Sequence, residues 1–278
     1  KEINMPVLYT IDELFGYCDN NWWQHFESNL ATAITSEIVQ EKVRENYPDF
    51  GSDEFRDRDW YDAEYAVENK LSDAYSEIRE AFHQWVAQLE MGNKNKKIEL
   101  TTDDAAFLTF NYTSTLQTLY GIDEDKVLHI HGKAGTDDEL VLGHGVSEDD
   151  IEEILERDYP IDEENGDDYV TQRANNAAIS GVYNQRKKVD EIIKKREEWF
   201  SSLKDGTNLY FYGHSFGEVD LPYFRKILSV LNKKNVQIEV SDFNGENRAS
   251  IDTFMQNEGI GTEQSSIINL TDKLLNKM

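Results

Sequence analysis

Three of the chain's six histidines, His129, His131 and His144, sit in one short run, VLHIHGKAGTDDELVLGHG. On an extended strand, residues two apart share a face, so His129 and His131 point one way while Leu128 and Ile130 point the other. Such a pair suits metal ligation with His144 or His214 as a third imidazole, or acid–base work near neutral pH. It also suits no chemistry at all, with the rings hydrogen-bonded at strand ends. The H-x-H spacing fixes no carboxylate beside it, and Cys18 is the lone cysteine, so no metal and no disulfide framework are expected. His129, inside the strand, reads as structural. His131 precedes Gly132 at the strand exit, where backbone and ligand can approach closely, and is the chemical candidate.

Two further stretches carry polar groups at strand ends. In NYTST, Asn111 reads either as a turn or N-cap residue or as an amide facing a crevice. With Tyr112 and Thr113 it offers partners for ribose hydroxyls and phosphate oxygens. In YFYGHSFGEVD, Gly213 permits a close turn, His214 stands beside it, Ser215 can cap the next helix, and Asp220 can cap LPYF. Helix N-termini that follow such strands add backbone donors for anions.

The elements that would position these residues are readable from periodicity. Apolar residues near a 3.6-residue period predict helices over 8–46 (Leu14, Tyr17, Trp22, Phe26, Leu30), over 62–89 (Leu71, Tyr75, Ile78, Phe82, Trp85) and over 170–203 (Val182, Val189, Ile193, Phe200). AAFLTFNYT, KVLHIHG, ELVLGHG, TNLYFYGHS and VQIEVSD read as strands. STLQTLYG is a short helix closed by Gly121, DLPYFRKILSVLNKK a helix with proline in its first turn, and RASIDTFMQN another. Apolar strands alternating with helices predict an α/β fold, a Rossmann-like parallel sheet flanked by helices with long helical insertions. Ligands in such sheets sit beyond the carboxyl ends of the strands. The expected organisation is a mainly helical part (1–97, ending in the hinge GNKNKK), a first piece of the α/β core (98–146), an acidic loop and long helical insertion (147–204), and a second piece of the core (205–278).

Composition bounds the function. The 278 residues carry 28 Lys and Arg against 55 Asp and Glu, a formal net charge of −27. Binding to nucleic acid or an anionic membrane is built on phosphate neutralisation, so nucleic acid is not the expected partner; the one dense basic run is Arg186–Arg196. No apolar run approaches the ~18 residues of a membrane span, and no secretory signal pattern opens the chain. A cytoplasmic protein is expected. The chain opens on Lys1 rather than Met, which leaves open whether a piece upstream is missing.

Taken in order, FLTFNYTSTLQTLYG, VLHIHGKAG, LVLGHG and LYFYGHSFGEVDLPYF resemble the bacteriophage abortive-infection AbiH family, and WWQHFESNL is similar to its W-x-x-F/L-E pattern. The resemblance runs from about Trp22 to Phe224. That family in turn resembles the sirtuin-like group, whose defence members cleave NAD. By motif, Thr109 and Asn111 fall on a strand ending in T-x-N, His131 and Gly132 on a strand ending in H-G, and Gly213, Ser215 and Asp220 on G-x-S with a downstream Asp. The resemblance implies that Asn111 and His131 are catalytic, and that NAD is bound as substrate by Thr109, Tyr112, Thr113, Gly132, His144, Gly213, His214, Ser215 and Asp220. It implies a phage-defence protein that hydrolyses the nicotinamide–ribose bond, with a nucleotide as small-molecule partner and a phage-derived activator and a homo-oligomer as further partners. Two features depart from the pattern: Thr113 stands where many sirtuin-like sequences have Asp, and KEINMPVLYTIDELFGYC holds nothing like the G-N-G-F-D turn with which AbiH-like proteins usually begin. Other readings stay open. One is a non-enzymatic or partner-activated phage-sensing module that uses the long helices; the other is an RNA-cleaving toxin with His131 and His144 as acid and base.

Overall fold

The computed structural model describes residues 5–16, 18, 26–33, 35–89, 97–147, 149–151, 153, 169–242 and 245–275. Tyr17 and Trp22 of the first expected helix, residues 92–96 of the hinge and most of the acidic stretch 147–168 lie outside them. In chain order come helices α1 (Met5–Phe15), α2 (Phe26–Asn29), α3 (Thr35–Asn46) and α4 (Asp62–Ala87), strand β1 (Phe107–Thr109), α5 (Thr115–Tyr120) and β2 (Val127–His129). Then follow α6 (Tyr169–Tyr183), α7 (Val189–Lys195), α8 (Glu197–Ser202), β3 (Asn208–Phe211), α9 (Leu221–Val230), β4 (Gln237–Ser241), α10 (Arg248–Asn257) and β5 (Ser265–Ile268). The protein is thus mixed α/β with small parallel sheets. Among the described residues no helix is long and apolar enough to cross a membrane.

The chain divides into two compact units, one built from residues 1–88 and 141–187, the other from 89–140 and 188–278. Unit 1 is helical. Along α4, Val67, Leu71, Ala74, Tyr75 and Ile78 are buried, the i, i+4, i+7, i+8, i+11 stripe of an amphipathic helix. Asp62 and Glu64 in its first turn complement the positive end of the helix dipole. Along α6 the buried residues are Val170, Ala174, Ala177, Ala178 and Val182. Their small side chains let α4 and α6 pack closely, and a Cβ on Gly181 would come within 2.7 Å of the Leu71 side chain. The buried Tyr75 hydroxyl donates to the Leu30 carbonyl at 2.9 Å, and burial pushes its phenol well above the ordinary range.

Unit 2 holds the strands. β1 and β2 pair in parallel with Thr109 opposite His129, and β3, β4 and β5 form a second parallel sheet in that order. A core of Phe200, Phe211, Phe216, Tyr223, Phe224, Leu228, Val240, Ile251 and Phe254 lies among the strands and helices. Pro222 opens α9 where its missing N–H costs nothing. Gly121, at φ +69°, closes α5 in the left-handed conformation.

Three expected elements differ. Among the described residues of 8–46, α2 and α3 are separated by the non-helical residues 30–33 rather than joined in one helix. ELVLGHG is not a strand; His144 makes only an isolated parallel bridge to Arg186. That bridge also explains why the helix expected over 170–203 breaks after Tyr183. The Gln185 carbonyl accepts from the His144 N–H at 3.3 Å, and the Lys187 N–H donates to the His144 carbonyl at 2.8 Å. Both groups are thereby withdrawn from helical bonding.

Candidate functional site

In unit 2 the chain leaves β1, β2 and β3 through Phe110, His131 and His214, and these three side chains meet. The Phe110 ring lies 5.3 Å from the His131 ring and 4.6 Å from the His214 ring, centroid to centroid. Tyr223 and Phe224 of α9 close the cluster, 5.8 Å from His131 and 4.7 Å from His214 respectively, and Tyr112 lies 6.2 Å from His131.

Into this aromatic surround α9 brings one carboxylate. Asp220 ends a short 3-10 turn and stands at the N-cap of α9, but its side chain makes no cap bond. Instead its Oδ1 lies 3.5 Å from His131 Nε2 and its Oδ2 lies 3.4 Å from His214 Nε2. Both separations exceed the ~2.7–3.2 Å of a good N–H···O bond, and each contact becomes an ion pair only where its imidazole is protonated. His131 and Asp220 are buried, and His214 is half-buried. A carboxylate between two imidazoles can stabilise a positive charge formed on either ring, more strongly in a water-poor surround than in bulk.

His214 is oriented by the backbone. The Phe216 N–H donates to its Nδ1 at 2.8 Å, and Phe216 itself adopts φ +58°. A bulky residue in that region is an outlier, and its buried ring packs against Phe211, Phe224 and Phe254.

His129 fills a different role. Its Nδ1 faces the Asn111 carbonyl at 3.0 Å and its Nε2 the Gln117 side-chain nitrogen at 2.9 Å. A carbonyl only accepts, so Nδ1 carries the proton and Nε2 accepts from Gln117. Burial holds this imidazole below its ordinary pKa, and the nearby Lys133 charge acts in the same direction. The Thr109 hydroxyl accepts from the Asn111 N–H at 3.1 Å. Asn111 is therefore pinned on both sides by a register pair of β1 and β2, with its residue exposed. Tyr112 is tied to the β2 exit as well, its carbonyl accepting from Ala134 at 2.8 Å.

The remaining candidates are distributed as follows. Thr113 exchanges a 2.9 Å hydrogen bond with Thr115. Gly132 has φ +86°, and a Cβ there would lie 2.5 Å from the Glu139 carbonyl oxygen, so the position accepts only glycine. Gly213, at φ +68°, donates its N–H to Ser241 Oγ at 2.8 Å, and Ser215 is exposed. His144 belongs to unit 1. There its Nε2–H donates to the Val182 carbonyl at 2.9 Å and its Nδ1 accepts from Val146 at 3.1 Å. Burial lowers its pKa. Among the described residues no group of three or more His, Cys, Asp or Glu is arranged to hold a metal ion.

Sequence reasoning did not single out Phe110, Tyr223 or Phe224, nor Gln117 behind His129. Their signal was present as aromatic residues directly beside strand ends and in the first turn of α9. Nothing in the spacing of His214 and Asp220 announces their approach, because it depends on the turn at Phe216.

A family model described as "Bacteriophage abortive infection AbiH" matches residues 6–242. No curated protein and no solved structure matches the chain.

Proposed function

The chain belongs to the bacteriophage abortive-infection AbiH family, and on that basis we propose that it defends the cytoplasm against phage by hydrolysing NAD at the nicotinamide–ribose bond. In this reading unit 2 is a Rossmann-like, sirtuin-like core, and the nucleotide binds beyond the carboxyl ends of its parallel strands. The observation that carries the reading is the convergence of His131, His214 and Asp220 at those strand ends, within 3.5 Å of one another through the carboxylate.

The chemistry needs no redox step. A water oxygen bonds to the ribose carbon as the carbon–nitrogen bond breaks, and the bonding pair returns to the nicotinamide ring nitrogen. The water proton passes to His131, and the imidazolium so formed faces Asp220 at 3.5 Å. Asn111, fixed by Thr109 and His129, orients the water or a ribose hydroxyl. Gly213, with nothing within 4 Å of where a Cβ would stand, leaves the backbone open to close approach, while Thr109, Tyr112, Thr113, Ser215 and Asp220 supply polar contacts to the nucleotide. Positioned acid–base help of this kind contributes about 10²–10⁴-fold.

Incubating the full-length protein with NAD and following nicotinamide by chromatography tests this. Release is expected, and Asn111→Ala and His131→Ala should each abolish it. Release that appears only with extract of infected cells supports the same chemistry under a phage-derived activator. No release under either condition sinks the enzyme reading.

A further inference from the structure

His131 and His214 are presented to the same carboxylate, yet their ring nitrogens are not equivalent. The Phe216 amide aims its N–H at Nδ1 of His214. An amide N–H only donates, so that nitrogen accepts, and the proton of the neutral ring resides on Nε2. Nε2 is the atom that faces Asp220 Oδ2. A proton on Nδ1 would set two donors against each other and open the turn at Phe216, a residue 2 % exposed and wedged among aromatic rings. The buried packing of Phe216 therefore holds its amide against one nitrogen of His214 and so favours one tautomer.

We infer that His214 is a positioning residue: fixed by the Phe216 amide as the Nε2–H tautomer, it directs that N–H at Oδ2 of Asp220 and so turns the other carboxylate oxygen toward His131. Because His214 brings a neutral dipole rather than a cation, the carboxylate's charge is left to His131. His131 is then the ring whose imidazolium the site stabilises, and His214 acts through Asp220 without touching the reacting atoms. The inference rests on the reading of His131 as the proton acceptor in NAD cleavage.

Two measurements on the full chain test it. In long-range proton–nitrogen spectra of the labelled protein at neutral pH, with the six histidines assigned by single substitution, His214 should show a protonated Nε2 and a bare Nδ1. The His131 nitrogens should move in both Asp220→Asn and His214→Phe. The Nδ1–H tautomer at His214, or unmoved His131 signals in His214→Phe, would overturn the coupling. So would one zinc per purified chain held by these three side chains, since a metal would then stand where the proton is placed. In the turnover assay His214→Phe should lose about 10²-fold in kcat, the size of effect a misplaced catalytic geometry produces, with KM little changed. His214→Gln, whose side-chain N–H reaches the same place, should recover most of it. Equal damage in both variants, each melting like the parent, overturns the donor role. If the parent releases no nicotinamide, the NAD reading fails while the spectra still decide the coupling.

Discussion

Two histidines beside glycines, one in each unit, look alike in sequence and differ in what their rings face. In unit 1, His144 is fully buried, and both ring nitrogens are taken up by backbone, Val182 on one side and Val146 on the other. In unit 2, His131 is nearly as buried but faces a carboxylate that it shares with a second imidazole. Gly143 beside the first and Gly132 beside the second both press against a neighbouring backbone, that of Gln185 and Glu139 respectively. The flanking glycines therefore report close packing in both cases and discriminate nothing. What separates a ring that ties two segments together from one equipped to move a proton is the ionisable partner, and that partner comes from a distant point in the chain.

The largest expected effect follows from this contrast. His131→Ala should lower NAD hydrolysis by about 10²–10⁴-fold in a protein that still melts cooperatively. His144→Ala should instead appear as a stability loss of about 1–3 kcal/mol, the worth of the two ring hydrogen bonds to backbone that it removes, with turnover tracking the folded fraction. Paired denaturation and activity measurements check this. A His144 variant of parental stability with lost turnover would reverse the two assignments.

The same contrast explains which features were legible in the sequence. Helix α4 was, because Leu71, Tyr75 and Ile78 recur at the helical period and are all buried. β3 and β4 were legible as apolar runs between helices, as was α9, opened by Pro222. LVLGHG misled because its alternation is that of a strand, whereas a strand requires a partner over several residues and His144 finds only Arg186. The break after α6 was hidden for the same reason, since the groups that interrupt the helix bond to a residue some forty positions earlier. At the site, the strand-end residues were legible because ligands of parallel sheets sit beyond the carboxyl ends of the strands. The approach of Asp220 to both histidines was not, because it joins side chains from distant points of the chain, and the turn between His214 and Asp220 includes Phe216 at positive φ, a state that residue type rarely visits.

A smaller effect distinguishes how each unit handles charge. In unit 1, Lys187 has a fully buried side chain paired with Glu27 at 2.7 Å, whereas Glu27 is 34 % exposed. Removing the carboxylate takes one charge partner from a buried ammonium, while removing the cation leaves a carboxylate that water can reach. Glu27→Ala should therefore cost about 3–5 kcal/mol, and Lys187→Met, which keeps the apolar stem, distinctly less. Urea midpoints of the two variants decide it. Equal losses would mean that the pair is stabilised by packing rather than charge.

The smallest effect is a pH dependence that the two units should share despite their different chemistry. Burial holds His144 in unit 1 and His129 in unit 2 below the ordinary imidazole value, so the folded chain keeps both rings neutral where the unfolded chain takes up protons. A group depressed in this way contributes stability that is complete above about pH 6.5 and is lost as the pH falls below it, because the unfolded state then binds more protons. The loss is at most about 1.4 kcal/mol per pH unit for each ring. Hydrogen exchange measured at pH 7.5, 6.5 and 5.5 separates them. Acidification should lower the protection factors, the exchange rates corrected for their intrinsic pH dependence, in α4 and α6 through His144, and in β1 and β2 through His129. His144→Gln should flatten the first response and leave the second, and His129→Gln should do the reverse. A response in β1 and β2 that survives His129→Gln would show that the acid sensitivity of this sheet does not come from that ring.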